Sequence, residues 1–465
     1  MSRFHIILPG RNFFKEIIVL AFPLVISSSA WTIQHFVNRM FLAWCSTESV
    51  AASMPAGMTN MLFISIFTGT AIFTETFVAQ YYGAKQFNKI GAVVWHGIYI
   101  GMIGAVFHLF LMTVAPSFFH MIGHEKNVAQ LEAKYFQILC LGAFPVISSC
   151  AISGFFAARG KTKPLMFATI FQTSINLILD YLLIFGKGGF PVLGIKGAGI
   201  ASVISAYCNF LFLITLAVRK RYEKEYKLLS SWKFNKNLFR RILKYGMPSG
   251  LQGTIDIAGF AIFLLLLGRI GTIPLAATNI AFNINTLAFM PTIGIGIAVS
   301  ILVGQNLGAN DPEKARQYTW AGFWITFSYM LILAICYVTI PDVFIRPFSY
   351  KSNSVEFLKI RNITVILLRF VAFYSLFDAM NVIFSSALRG AGDTRFIMSA
   401  ILFISVFILI IPSWVFIVLL DSGIFIAWTI ATTYVISLAV LFLLRFLHGK
   451  WERMRVIEKS DIAQT

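Results

Sequence analysis

VAQYYGA, residues 78–84, returns 225 residues later as VGQNLGA, residues 303–309. The same offset pairs AFPLV (21–25) with GMPSG (246–250) through Pro23 and Pro248, Ala51-Ala52 with Ala276-Ala277, and Trp95-x-Gly97 with Trp320-x-Gly322. Further on, AARG (157–160) pairs with ALRG (387–390) at an offset of 230, and GAGIA (197–201) with GIFIA (423–427) at 226. Anchors that recur in one order mark a duplicated chain. On the 230 offset, Asp378 corresponds to Ser148.

What is duplicated is a set of membrane helices. Of 465 residues, 58% are hydrophobic and 12% charged, with a mean hydropathy of +0.79; a soluble protein carries about 25% charge. Apolar runs fall near 16–44, 50–75, 91–115, 131–157, 164–186, 195–218, 242–268, 274–302, 316–340, 363–387, 396–420 and 423–447. Each is long enough to cross a hydrocarbon core of ~30 Å as a helix, and unbroken runs exclude the alternating pattern of a membrane β-barrel. The expected fold is an all-α membrane protein of twelve transmembrane helices in two six-helix lobes. The lobes span 1–218 and 242–447, joined by a basic linker at 219–241 and followed by a tail at 448–465. An even number of spans per half makes the halves parallel, related by an axis along the membrane normal, and suits a transporter that rocks around a central cavity.

The net charge of +19 does not indicate a nucleic-acid partner, because the basic residues sit between spans. Alternate connections hold most of them, and 219–241 alone carries nine Lys or Arg. That is the positive-inside pattern. It places both termini and the linker in the cytoplasm; the expected location of the chain is the plasma (inner) membrane. The linker reads as a solvated orientation signal in preference to a lipid-recognition element. Cys45, Cys140, Cys150, Cys208 and Cys336 fall in or at the ends of apolar runs without paired spacing, so they read as small buried hydrophobes. Near the N-terminus, Glu16 interrupts the early apolar stretch, which resumes through Trp44; a first span kinked at Pro23 fits better than a cleaved signal.

Acids inside the spans carry the functional information, because a carboxylate at the bilayer centre costs roughly 2.5–3.5 kcal/mol. Asp180, Asp256 and Asp378 stand out. Counting ~1.5 Å per residue, Asp256 lies ~18 Å past Lys244 and Asp378 ~16 Å before Arg389, so both reach the midplane. Tyr374 is at i−4 from Asp378 and shares its face. Two carboxylates and a phenol at one level suit a cation or a shared proton. A second set lies in the first half. Asn176 and Asp180 are i, i+4, as are Gln34 and Asn38, and Ser202 is at comparable depth. Oxygen ligands from three helices suit a hard cation such as Na⁺. Arg39 is expected to face away or snorkel. His35, His96 and His108 are expected to make ordinary packing or polar contacts.

Together these segments resemble the multidrug and toxic compound extrusion (MATE) family, and its NorM-like members in particular. The resemblance covers nearly the whole chain. It rests on FPLVISSSAWTIQHFVNRMFLAW (22–44), SVAASMPAG (49–57), VAQYYGA, INLILDYLLIFG (175–186), GIKGAGIASVIS (194–205), GMPSGLQGTIDIAGF (246–260), PLAATNIAFNI (274–284), VGQNLGA and FDAMNVIFSSALRGAGDT (377–394). It implies cation-coupled antiport, driven by H⁺ or Na⁺ and without a resident cofactor. Small cationic amphipathic compounds would be exported by alternating access of a monomer. It also implies that Asp256, Asp378 and Tyr374 form a second-lobe coupling site, and that Asn176, Asp180 and Ser202 belong to a first-lobe cation site. Asn38 departs from the family, which usually has Asp in a pattern like VDRMFL where this chain has VNRMFL. Asp180 is then the only acid of the first-lobe site, and the expected weight of coupling moves to the second lobe.

Three other readings compete, and the duplicated architecture with paired acids favours alternating access over the first, a channel. A flippase for a lipid-linked precursor would need basic cavity residues to receive pyrophosphate, whereas the midplane residues here are acidic. A membrane-embedded enzyme would need a nucleophile or metal cluster, and no HExxH, GxSxG or paired Cys/His set occurs in the spans.

Overall fold

The computed structural model describes residues 9–349 and 354–458, and among them every regular element is helical. Among the described residues eleven helices are long and apolar enough to cross a membrane, and a bent pair, taken as one span, makes a twelfth. They are α1 (Arg11–Cys45), α2 (Thr47–Gly83), α3 (Ile90–Ile122), α4 (Lys126–Cys140 with Ala143–Ala157), α5 (Lys163–Phe185) and α6 (Ile195–Ala217) in the first half. The second half has α7 (Lys236–Leu267), α8 (Thr272–Gly308), α9 (Pro312–Thr339), α10 (Ser354–Ala391), α11 (Thr394–Leu419) and α12 (Ile424–Leu447). The apolar runs read from sequence fall on these helices to within one residue at their ends. The expected single span at 131–157 differs in being bent by 44° at Leu141–Gly142. Pro145 explains the position of the break, since it has no N–H to give the Leu141 carbonyl.

The duplication reappears as backbone geometry. After α2, the amides of Ala84, Lys85 and Gln86 donate to the carbonyls of Gln80, Tyr82 and Tyr81; after α8, those of Ala309, Asn310 and Asp311 donate to Gln305, Leu307 and Asn306. Lys85 and Asn310 close these turns with φ of 57° and 58°, a left-handed conformation uncommon for side-chain-bearing residues. The offset is 225 at both ends. The ends of α4 and α10 correct the offset of 230. Gly160 (φ 76°) donates to Ala157 and the next amide to Phe156; Gly392 (φ 96°) donates to Arg389 and the next amide to Leu388. The turn needs the glycine with positive φ, so Gly160 matches Gly392 at an offset of 232. Asp378 then corresponds to Val146, not Ser148.

By contacts the chain forms two compact units. One joins the residues up to Val25 with Ile255–Arg455; the other joins Ile26–Thr254 with the chain from Val456. The divisions therefore fall inside α1 and α7. In the unit built on Ile26–Thr254, the start of α7 crosses α2 with backbones in contact. A Cβ on Gly250 would lie 2.1 Å from the Ile66 carbonyl oxygen, and one on Gly69 would lie 2.6 Å from the Gly250 Cα. In the other unit the equivalent residues repeat this, with a Cβ on Gly294 meeting the Val25 Cγ2 at 2.7 Å and its nitrogen at 3.0 Å. Small residues at such crossings let van der Waals packing replace the hydrophobic force that lipid cannot supply.

Two features tie down the ends of the Ile26–Thr254 unit. Arg159, buried after α4, holds its guanidinium 3.6 Å from the Phe155 ring and 4.6 and 4.7 Å from Tyr222 and Tyr226 of the short helix Lys220–Tyr226. Val456 donates its amide to the buried Gln80 side chain at 2.8 Å, and Arg241 bonds the Val456 carbonyl and Glu458.

Candidate functional site

The first-lobe residues are brought together. Thr173, Asn176 and Asp180 fall at i, i+3 and i+7 on one face of α5, and Gln34 and Asn38 at i and i+4 on α1. All five are buried, Asn176 and Asp180 completely. The Asn176 amide is the hub. In the orientation its neighbours require, its nitrogen donates to Asn38 Oδ1 at 3.2 Å and to Asp180 Oδ2 at 3.0 Å, and lies 3.1 Å from Gln34 Nε2. Its oxygen accepts from the Ser202 backbone amide at 3.3 Å, and the Thr173 hydroxyl donates to Gln34 Oε1 at 3.3 Å. Ser202 thus takes part through its main chain, where the sequence suggested its hydroxyl.

This network leaves one atom over. Asp180 Oδ1 is buried and has no hydrogen-bond partner among the described residues. No ion pair to Asp180 occurs among those residues, and Arg39 is exposed. A carboxylate in this setting needs a proton or a cation on its open oxygen. Asn38 and Asp180 offer the hard oxygens that such a cation takes.

The second-lobe residues form a looser set. Asp378 and Tyr374 are both buried on α10, one turn apart, and the Asn381 side chain hydrogen-bonds Asp378. Asp256 on α7 is exposed. Tyr434 of α12 lies within electrostatic reach of both acids. The Ser405 hydroxyl donates to Tyr434 Oη at 3.3 Å from a wide, π-type turn of α11 at Ser405–Ile410, a local geometry frequent at functional sites. Asn381 was within reach of sequence reasoning, at i+3 from Asp378. Tyr434 and Thr173 were not, because a hydroxyl in an apolar run carries no periodic signal. Of the histidines, His96 and His108 do make ordinary contacts, bonding the Ala92 and Gly104 carbonyls at 2.6 and 2.7 Å.

Twelve membrane-crossing helices, a repeated half and carboxylates buried within the spans define a polytopic transporter built by duplication. The chain belongs to the MatE family, whose model matches residues 23–182 and 248–415, two copies that begin at the 225-residue offset. It is similar to "Probable multidrug resistance protein NorM" of Bacillus subtilis, 25% identical over 408 residues, covering 87% of this chain and 88% of the relative. The protein of the same description from Thermotoga maritima is 24% identical over 459 residues, covering 97% and 96%. Two solved structures share the fold, each with 20% identity and 96% of both chains covered. One is an outward-facing MATE family transporter of the MOP superfamily, with a TM-score of 0.84. The other is a MOP superfamily transporter from Pyrococcus furiosus, with a TM-score of 0.85, described as having a binding pocket of reverse polarity that suggests a different function.

Proposed function

We propose that the chain exports cationic amphipathic compounds, drugs or metabolites, across the plasma membrane in exchange for H⁺ or Na⁺, by alternating access. The observation that carries this is the buried acid without a basic partner. Asp180 and Asp378 are buried in their bundles, and neither joins an ion pair among the described residues. Burying charge without compensation costs several kcal/mol, so these positions are stable only when loaded with a cation, a proton or a cationic cargo. Competition between coupling ion and cargo for the same carboxylates links the two fluxes. Asp256, Asp378 and Tyr374 serve as the principal coupling site, with Gln34, Asn38, Asn176, Asp180 and Ser202 as a first-lobe site for cation or substrate.

A flippase of the same superfamily is the alternative, and fold does not choose between them, as the Pyrococcus furiosus relative illustrates. Polarity favours the exporter, because pyrophosphate would meet carboxylates at these sites. The test is dye efflux from vesicles holding the whole protein under imposed Na⁺ or H⁺ gradients. Asp256→Asn and Asp378→Asn should each cut gradient-driven efflux at least tenfold, an effect worth about 1.4 kcal/mol. Unchanged efflux in both variants would overturn the assignment.

A further inference from the structure

The structure lays part of the basic linker between the halves on α3. Trp95 Nε1 donates to the Leu228 carbonyl at 2.6 Å, the Tyr99 hydroxyl donates to the Trp232 carbonyl, and the Asn235 amide donates to His96 Nε2 at 2.9 Å. Glu223 closes the loop by accepting from the amides of Leu229 and Ser230. Those bonds hold its carboxyl below the ordinary value of 4.5. Leu228 and Leu238 are buried on either side. The chain from 228 to 238 is therefore fixed in place.

Its position on α3 identifies what it faces. Tyr99 heads a stripe with Met102, Ile103, Val106 and Phe110, at i, i+3, i+4, i+7 and i+11, a single helix face. These four are exposed by 45, 50, 68 and 63%, which marks the face that lipid covers. From Tyr99 to Ile122 the helix runs about 34 Å, slightly more than a hydrocarbon core of ~30 Å. Tyr99 thus stands at the boundary between acyl chains and headgroups. The linker pinned there exposes Trp232 by 58% and Phe234 by 57%. Exposed Lys233, Lys236 and Arg240 are interleaved with them.

We propose that residues 229–240 form an interfacial anchor that binds anionic phospholipid. Trp232 and Phe234 sit at the depth where aromatic rings partition into the interface. Lys233, Lys236 and Arg240 pair with lipid phosphates on the same level, where each basic residue gains about fivefold in partitioning. The patch is continuous with the lipid-covered stripe, so a bilayer reaches it without any rearrangement.

The test uses the full chain in phosphatidylcholine vesicles, with acyl chains brominated near the headgroup. The fluorescence difference between the native protein and Trp232→Tyr isolates Trp232. That component should be quenched by bromolipid and shielded from aqueous iodide. In detergent, added phosphatidylglycerol should raise the unfolding temperature of the native protein, while K233Q/K236Q/R240Q should need at least tenfold more for the same effect. Trp232 open to iodide and insensitive to bromolipid would overturn the anchor. Trp232 shielded from both quenchers in native membranes yet open to iodide after reconstitution would mean that a partner protein covers the patch, and would also overturn it. Equal responses to phosphatidylglycerol and phosphatidylcholine would overturn the preference for anionic lipid. None of these readouts requires transport, so their outcome is independent of the exporter assignment.

Discussion

Asn38 shows how much one atom decides inside a membrane. Its Oδ1 accepts from the Asn176 amide at 3.2 Å, the same bond an aspartate would make. The network therefore holds without the acid the family usually carries. What the substitution removes is a charge beside Asp180. At an effective dielectric near 20, a second carboxylate ~4 Å from a cation contributes about 4 kcal/mol of attraction, part of which desolvation cancels. Asn38→Asp should therefore raise first-lobe Na⁺ or H⁺ affinity about tenfold, measured by titration of the purified protein with each ion. Unaltered affinity for both would mean the site holds no cation. Gln34, Asn38, Asn176 and Asp180 were legible because i, i+4 polar pairs in apolar runs are conspicuous. The part played by Ser202 was not, since sequence gives no sign that a backbone amide, already inside a helix, will be shared with a neighbouring side chain.

At the level of elements, the helices and their order were legible because length and hydropathy fix a membrane span. The bend of α4 was written in Pro145 but hidden by an unbroken apolar run. The offset of 232 at the end of α10 was hidden by a chance repetition of Arg-Gly two residues too early, and only the positive φ of Gly392 reveals it. Helix crossings are the least legible feature, because Gly246 and Gly250 announce a close approach without naming the partner. Gly250→Val should destabilise the Ile26–Thr254 unit by at least 1–3 kcal/mol, the usual range for overpacking, since its first carbon already meets a carbonyl oxygen rather than a movable side chain. Thermal unfolding in detergent checks this. A melting temperature equal to that of the unsubstituted protein would show that α2 and α7 can part at little cost.

For the whole molecule, the repeat established that Pro23 and Pro248 are equivalent, yet equivalence does not say what each packs against. Val25 meets Gly294, and Gly250 meets Gly69, so each half gives the start of its first helix to the unit formed by the other half's helices. A chain divided within 227–235 should accordingly give two fragments that aggregate when made separately and co-purify when made together. Two fragments that are each monodisperse and stable alone would contradict this. The exchange also bears on ancestry. Before duplication, a single six-helix copy could make both contacts only by trading helix starts with a second copy, as a swapped symmetric dimer. Fusion of two such genes would then have covalently fixed a partnership that already existed, and freed each copy to evolve its own set of acids.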